Sequence, residues 1–152
     1  MQVSTCKRNR EGVKIMASAI YTALNDMVSM LKTEWTDGQT PDIKALWEEK
    51  SAGFIDDRRD LILVYPKNEA VEYFGLYGSD FLHMIDITIE VRSYQDQEKM
   101  DNVNKEILRI IKANIRRTGF IDLVVRSTIS QNDQLRNMFK HVINVRYRKD
   151  NP

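Results

Sequence analysis

One stretch of the sequence carries residue types that could do chemistry. Asp86, Glu90 and Arg92 alternate with apolar residues, so a strand here would place all three side chains on one sheet face. Two carboxylates followed by a base resemble the cation site of restriction-type nucleases. Such a site needs lysine where this chain has arginine, because arginine does not readily give up its proton. The pattern favours a solvated strand face with cross-strand ion pairs over a nuclease site.

Other reactive groups are sparse. His83 and His141 each begin an expected strand, without a cysteine or a helical histidine pair beside them, so no metal site is expected. The glycines form no phosphate-binding loop or nucleophile elbow, so no nucleotide cofactor is expected either. The single cysteine, Cys6, excludes an internal disulfide and is typical of a reducing compartment. We predict no catalytic, cofactor-binding or metal-binding residues, and therefore a protein that is not an enzyme.

Length and composition fit a single domain. The chain has 152 residues, 42% hydrophobic and 30% charged, near the averages of globular proteins. Its net charge is +1, so no overall field attracts nucleic acid or an anionic membrane. No apolar run reaches the roughly 18 to 20 residues of a membrane span, and the N-terminus does not look like a secretory signal. We expect cytoplasmic synthesis, and one domain over residues 1–152 with a flexible arm at residues 1–11.

The elements that would position these residues include two long amphipathic stretches. Apolar residues recur there at three- and four-residue spacing, which predicts helices over residues 12–35 and 96–117. Gly119 follows the second stretch, where a helix-capping glycine is expected. Pro41 introduces a short third helical stretch over residues 43–49.

Shorter apolar or alternating runs predict the strands. The clearest covers residues 83–92, where one sheet face would be apolar and the other polar. An earlier run ends at Pro66, which is typical of a strand end. The expected strands are residues 61–65, 72–77, 83–92, 121–129 and 139–147. The order predicts an α+β fold, with one mixed or antiparallel sheet of four to five strands and two main helices packed on one face.

Aromatic and charged residues suggest contacts with other proteins. Aromatic side chains gather between Tyr65 and Phe81, and tyrosine is enriched at protein interfaces. The alternative is that this loop packs onto its own core. Basic clusters at residues 116–117 and 146–149 could neutralise phosphates, but they lack a series of stacking aromatics. This favours solvated or subunit-facing charge.

The element order carries a family resemblance. An N-terminal helix, a strand pair, the alternating strand IDITIEVR at residues 85–92, a helix, and a last strand pair ending INVRY at residues 143–147 resemble the tail terminator proteins of long-tailed bacteriophages. The resemblance covers nearly the whole chain and rests on size, element order and alternating strands. Residues 44–59 depart from the family pattern, which keeps a head completion or neck adaptor protein open as the alternative.

The resemblance implies a structural virion protein at the junction of tail and neck. It implies a homo-oligomeric ring, hexameric in the family, that sits on the last tail-tube ring, stops polymerisation and presents a surface to the head. The partners implied are the chain itself, the tube protein and a head or neck connector, with DNA passing through the ring but no sequence-specific binding and no membrane. Two other classes remain open: a metal-dependent nuclease built on Asp86 and Glu90, and a small adaptor domain.

Residues expected at subunit contacts lie in the aromatic loop, in the turns at residues 93–97 and 130–137, and among the charged groups. They are Tyr73, Phe74, Tyr77, Phe81, Tyr94, Gln95, Asp96, Asn132, Asp133, Gln134, Asp56, Asp57, Arg116, Arg117 and Arg146. In a ring, one patch meets a different patch of the next copy. We therefore expect the aspartates at positions 56 and 57, together with Asp60, to face the arginines of this set on a neighbouring subunit.

Overall fold

The computed structural model describes residues 18–36, 38, 41–46, 61–74, 80–93, 97–133 and 138–150. The elements in chain order are α1 (Ser18–Glu34), β1 (Asp42–Ala45), β2 (Leu61–Phe74), β3 (Asp80–Ser93), α2 (Gln97–Ala113), β4 (Asp122–Asp133) and β5 (Met138–Asp150). The predicted α+β class is confirmed. The expected arm at residues 1–11 lies outside the described residues, and the division into one domain stays a prediction.

The five strands form one mixed sheet in the order β1-β2-β3-β5-β4. β1 runs parallel to β2, and every other neighbouring pair is antiparallel. Helix α2 connects β3 to β4, and β5 lies between those two parallel strands. This split crossover places β3 and β5 in the centre of the sheet.

Both helices pack on one face of the sheet, called here the helix face, as predicted. Their apolar residues recur at three- and four-residue spacing and meet the alternate apolar residues of the strands. Ile85, Ile87 and Ile89 of β3 are fully buried in this core. The helical members are Ala23, Leu24, Met27, Met30 and Leu31 of α1, and Met100, Ile107, Ile110 and Ile111 of α2. No described helix has the length and apolar character needed to cross a membrane.

The strand β2 is longer than predicted. Residues 61–65 and 72–77 were expected as two strands divided at Pro66, but β2 continues from Leu61 to Phe74. Its register shifts between Pro66 and Asn68, which marks a bulge. Past Val64, β2 has no partner on its outer side among the described residues, and proline is accepted at strand edges and bulges. Pro66 therefore bends the strand without ending it.

The helix predicted over residues 43–49 is wrong in its described part, because Asp42–Ala45 forms the strand β1. Ile43 is buried, and the Leu46 amide donates to the Val64 carbonyl over 2.7 Å. Four residues gain little from a single helical turn, whereas pairing with β2 satisfies their backbone groups.

Helix α2 ends at Ala113, earlier than the predicted residue 117, so Gly119 is not its cap. Instead, the Phe120 amide donates to the Arg117 carbonyl over 3.0 Å, which closes a four-residue turn. Gly119 is the third residue of this turn and has a φ of +85°, in the left-handed region. That position in a type II turn requires positive φ, which glycine adopts without strain.

Polar contacts fix the two helices relative to each other. Glu106 of α2 accepts hydrogen bonds from the Thr36 amide over 3.1 Å and from the Thr36 hydroxyl over 3.2 Å. Arg109 pairs with Glu106 and donates to the carbonyl of Glu34, the last residue of α1, over 2.9 Å. The end of α1 is thereby capped by side chains of α2.

A second network joins α1 to the sheet. Asp26 accepts hydrogen bonds from the Arg117 guanidinium over 2.7 and 2.9 Å and from the Tyr147 hydroxyl over 2.8 Å. Burial, reinforced by the Asp26 carboxylate, raises the pKa of Tyr147 far above its ordinary value. Tyr147 thus remains a neutral donor under all ordinary conditions.

Removing the charge of Glu106 should change how stability depends on pH. The hydrogen bond from Arg109 is the main cause that lowers the pKa of Glu106 from 4.5 to about 2. Because the folded pKa lies below the unfolded one, the stabilisation is present above pH 4.5 and is lost as the pH falls towards about 2. We expect Glu106→Gln to lower the free energy of unfolding at neutral pH by about 2 kcal/mol and to flatten its pH dependence in this window.

Urea denaturation at a series of pH values measures this effect. Glu98→Gln, on an exposed position of the same helix, is the matched control and should change the free energy by less than about 0.5 kcal/mol. A wild-type acid dependence that persists unchanged in Glu106→Gln would contradict the assignment.

Candidate assembly surfaces

The face of the sheet opposite the helices, called here the second face, carries a row of polar side chains. On β3 these are Asp86, Thr88, Glu90 and Arg92, which alternate with the core isoleucines. On β5 the cross-strand partners of Asp86, Thr88 and Arg92 are Arg146, Asn144 and Lys140. The alternation that the sequence predicted is therefore present.

Hydrogen bonds link these side chains across three strands. Arg146 donates to both carboxylate oxygens of Asp86, over 2.7 and 3.1 Å, in the bidentate geometry that arginine favours. The Thr88 hydroxyl donates to the Asn144 carbonyl oxygen over 2.9 Å, and the Asn144 amide donates to the Ser127 hydroxyl of β4 over 2.9 Å. The polar row connects β3, β5 and β4.

Glu90 is the most enclosed charged group of this row. Its side chain is 2% exposed and accepts from Arg92 Nε over 2.5 Å, Lys140 Nζ over 2.9 Å and the Tyr65 hydroxyl over 3.3 Å. Arg92 is 4% exposed. The predicted ion pairs exist, but the prediction that this part of the face is solvated is wrong. The alternating sequence pattern identifies the polar positions of the strand, but it does not show whether neighbouring residues shield those positions from water.

The geometry does not support the nuclease hypothesis. Asp86 and Glu90 are four residues apart on β3, which separates their Cα atoms by about 13 Å. Each carboxylate is neutralised by a cation at hydrogen-bonding distance. Across the described ranges, no group of three His, Cys, Asp or Glu residues is placed to hold a metal ion. The charged side chains of the polar row instead form ion pairs with one another within the sheet.

The aromatic residues expected in a loop lie mainly on strands. Tyr73 and Phe74 belong to β2, in agreement with the strand predicted over residues 72–77, whereas Phe81 belongs to β3 and the expectation of a loop is wrong there. Tyr77 lies outside the described residues. The rings of Tyr73 and Phe81 pack in a tilted arrangement, with 5.7 Å between their centroids. Tyr73 is 72% exposed and Val71 on the same strand is 40% exposed. This outer part of the β2–β3 hairpin is an accessible apolar surface.

His83 lies on the same hairpin and is buried at 3% exposure. Its Nε2 atom contacts the Glu69 carboxylate across the strand pair. His141, on β5, contacts the Ser130 hydroxyl over 2.9 Å, and burial lowers its pKa. Both histidines thus make side-chain contacts within the sheet, as structural histidines commonly do.

The connection between α2 and β4 carries two of the predicted arginines. Arg116 is exposed, whereas Arg117 is bound by Asp26 of its own chain. Ile115 and Ile121 are 49% and 46% exposed in the same connection. This connection therefore exposes two isoleucines and one arginine.

The outer strand β4 forms another accessible edge. Ile129 is 47% exposed in the middle of the strand, and Asn132 is exposed near its end. Asp133 is the last residue of β4, and Arg146 on β5 is occupied by Asp86. The other predicted contact residues lie outside the described residues: Asp56, Asp57, Tyr94, Gln95, Asp96 and Gln134, together with Asp60.

Two residues that the sequence did not single out are Lys67 and Arg126. Each lies in a β-bulge, Lys67 in β2 and Arg126 in β4. A bulge is visible only once the register of two strands is known, so no local sequence signal marks these positions.

Comparison with known proteins gives a match in fold alone. No protein-family model matches the chain, and no curated protein does. The fold is similar to that of a chain in the solved structure of the virion of a native gene transfer agent (GTA) particle, at 13% sequence identity. The match covers 88% of this chain and 93% of that chain, with a TM-score of 0.50. The two chains share their fold over nearly their full lengths.

Neutralising Glu90 should destabilise the protein strongly. Glu90→Gln removes the buried carboxylate that pairs with Arg92 and Lys140, and breaking one side of a buried ion pair costs about 3 to 5 kcal/mol. Asp122→Asn is the control, because Asp122 pairs with Arg148, whose side chain is 41% exposed, and such pairs contribute about 1 kcal/mol or less. Urea denaturation of both variants gives the comparison. Similar small losses in the two variants would contradict a strong contribution of the buried Glu90 ion pairs to stability.

Proposed function

We propose that this protein is a structural subunit of a phage-like virion and that it acts by assembly rather than by catalysis. The observation that carries the proposal is the fold shared with a chain of the gene transfer agent virion, over 88% of this chain. The resemblance of its element order to tail terminator proteins points in the same direction. The second face adds support, since its carboxylates are held in ion pairs and are not arranged for a reaction.

The finer proposal is a ring that closes the tail tube and joins it to the head or neck. A closed ring needs two different complementary patches on each copy. The described surface offers such patches at opposite sides of the sheet. Tyr73 and Val71 lie on the β2–β3 hairpin, and Ile129 lies on the outer strand β4. Adjacent copies placed side by side would bring the hairpin of one towards the β4 edge of the next.

Apolar side chains at these two places are suited to this role. Aromatic residues supply much of the energy of protein interfaces, because they bury a large area with few rotatable bonds. The two edges that carry these residues, β4 and the part of β2 past Val64, are each interrupted by a bulge. Bulges discourage open-ended strand pairing, which favours a defined contact over aggregation.

The oligomeric state tests the ring directly. We expect light scattering coupled to size-exclusion chromatography to give one discrete species at six times the 17.8 kDa chain mass. Added to polymerising tail-tube protein of the same virion, it should shorten the tubes by capping their ends. A ring that binds the head connector and leaves tube length unchanged would favour the neck adaptor alternative. A chain that stays monomeric until a partner is added would contradict the ring.

A surface substitution tests the contribution of the hairpin. Tyr73→Ser should leave the thermal midpoint of the monomer nearly unchanged, because the side chain is 72% exposed. It should raise the protein concentration needed to form the ring at least tenfold. Tyr21→Ser, at a tyrosine of α1 that is 49% exposed, is the matched control. Equal ring stability in the two variants would remove the hairpin from the contact.

A further inference from the structure

The two bulges of the sheet lie at the same level. Pro66 and Val125 each immediately precede a bulge, and they pair with Ile87 and Val145 respectively. Ile87 and Val145 are themselves partners in the centre of the sheet. The bulged residues Lys67 and Arg126 therefore flank one level of the sheet from its two sides.

Both bulged cations line a single pocket on the second face. The pocket has a volume of about 230 Å³. Its polar lining residues are Lys67, Asp86, Arg126, Ser127, Asn144 and Arg146. An ordinary strand would send Arg126 and Ser127 to opposite faces, and the bulge in β4 is what lets both line the pocket.

The pocket has an excess of positive charge. It combines the three cations Lys67, Arg126 and Arg146 with the one carboxylate of Asp86. Arg146 already binds both oxygens of that carboxylate. Within the described part of the chain, Lys67 and Arg126 form no ion pair, and both are exposed. Two positive charges are thus open to a ligand.

The remaining hydrogen-bonding groups also favour an anion. The carbonyl oxygen of Asn144 accepts from Thr88, and its amide donates to the Ser127 oxygen. The Ser127 hydroxyl therefore keeps its own proton available to donate. The oxygens of Asp86 and Asn144 are engaged, while the lysine, the arginine and the serine hydroxyl remain as donors. Such a donor-rich pocket recognises phosphate or carboxylate oxygens.

The placement of the two open cations on separate strands favours a chain of phosphates over a single ion. β2 and β4 are separated by three strand spacings, about 14 Å between their backbones. Successive phosphates advance by about 3.4 Å along each DNA strand, so two long cationic side chains that reach into one pocket from strands this far apart can contact neighbouring phosphates. We propose that this pocket binds the phosphate backbone of duplex DNA without reading its sequence. The proposal deepens the proposed function and rests on it for the presence of DNA beside the subunit.

Binding of a labelled mixed-sequence DNA duplex to the full chain, measured by fluorescence anisotropy at several salt concentrations, tests the pocket. The double variant K67Q/R126Q should bind at least tenfold more weakly at low salt, and its slope of log affinity against log salt should fall by about 2, since each phosphate contact contributes roughly 0.9. The control K105Q/K112Q lowers the net charge equally on exposed positions of α2 and should stay within twofold of the wild type.

Two outcomes would contradict the proposed DNA binding by the pocket. One is an equal loss of DNA affinity in the two double variants. The other is binding of a labelled polyglutamate peptide as tight as that of DNA, which would indicate a carboxylate partner. Light scattering on the same samples keeps the pocket and the ring separable. An intact ring with lost DNA binding in K67Q/R126Q supports the pocket. DNA binding at these residues by a chain that forms no ring contradicts the proposed function while leaving the pocket supported.

Discussion

The pairing of charge on the second face of β3 is the constraint on which the rest of the structure depends. Glu90 is enclosed at the centre of the sheet and is held by Arg92 and Lys140, so β5 must lie beside β3 in one register. A shift by one residue would send the core isoleucines to the wrong face and leave a buried carboxylate without cations. The polar row and the apolar core thus favour the same strand pairing.

Once β3 and β5 are fixed, the strands that flank them can depart from ideal geometry. β2 and β4 each carry a bulge, and each exposes apolar or basic side chains that the fold itself does not use. In the assembly proposed above, the centre supplies stability, while the hairpin, the β4 edge and the basic pocket supply the surfaces for other molecules. This division is what a subunit that works by surface complementarity requires, because its contact residues can vary without loss of the core.

Much of the fold was predictable because its central elements have strong periodicity. The alternation in β3 and the helical spacing in α1 and α2 come from residues that meet the core, so sequence and structure agree there. The failures have physical causes of their own. Pro66 looks like a strand end but lies at a bulge, and Ile43 forms a strand because β2 offers its backbone partners. The burial of Glu90 and the pocket at Lys67 depend on strand order, which one sequence does not encode locally.

Amide hydrogen exchange, followed on the isolated protein and on the same protein within its assembled particle, tests most directly the division between a stable centre and outer contact surfaces. The amides of β3 and β5 between Ile85 and Val91 and between Ile143 and Tyr147 should exchange slowly in both states. Those of β4 and of β2 beyond Pro66 should become slower only in the assembly. Protection gained on the helices alone, or no change at either edge, would contradict the assignment of these edges to subunit contact.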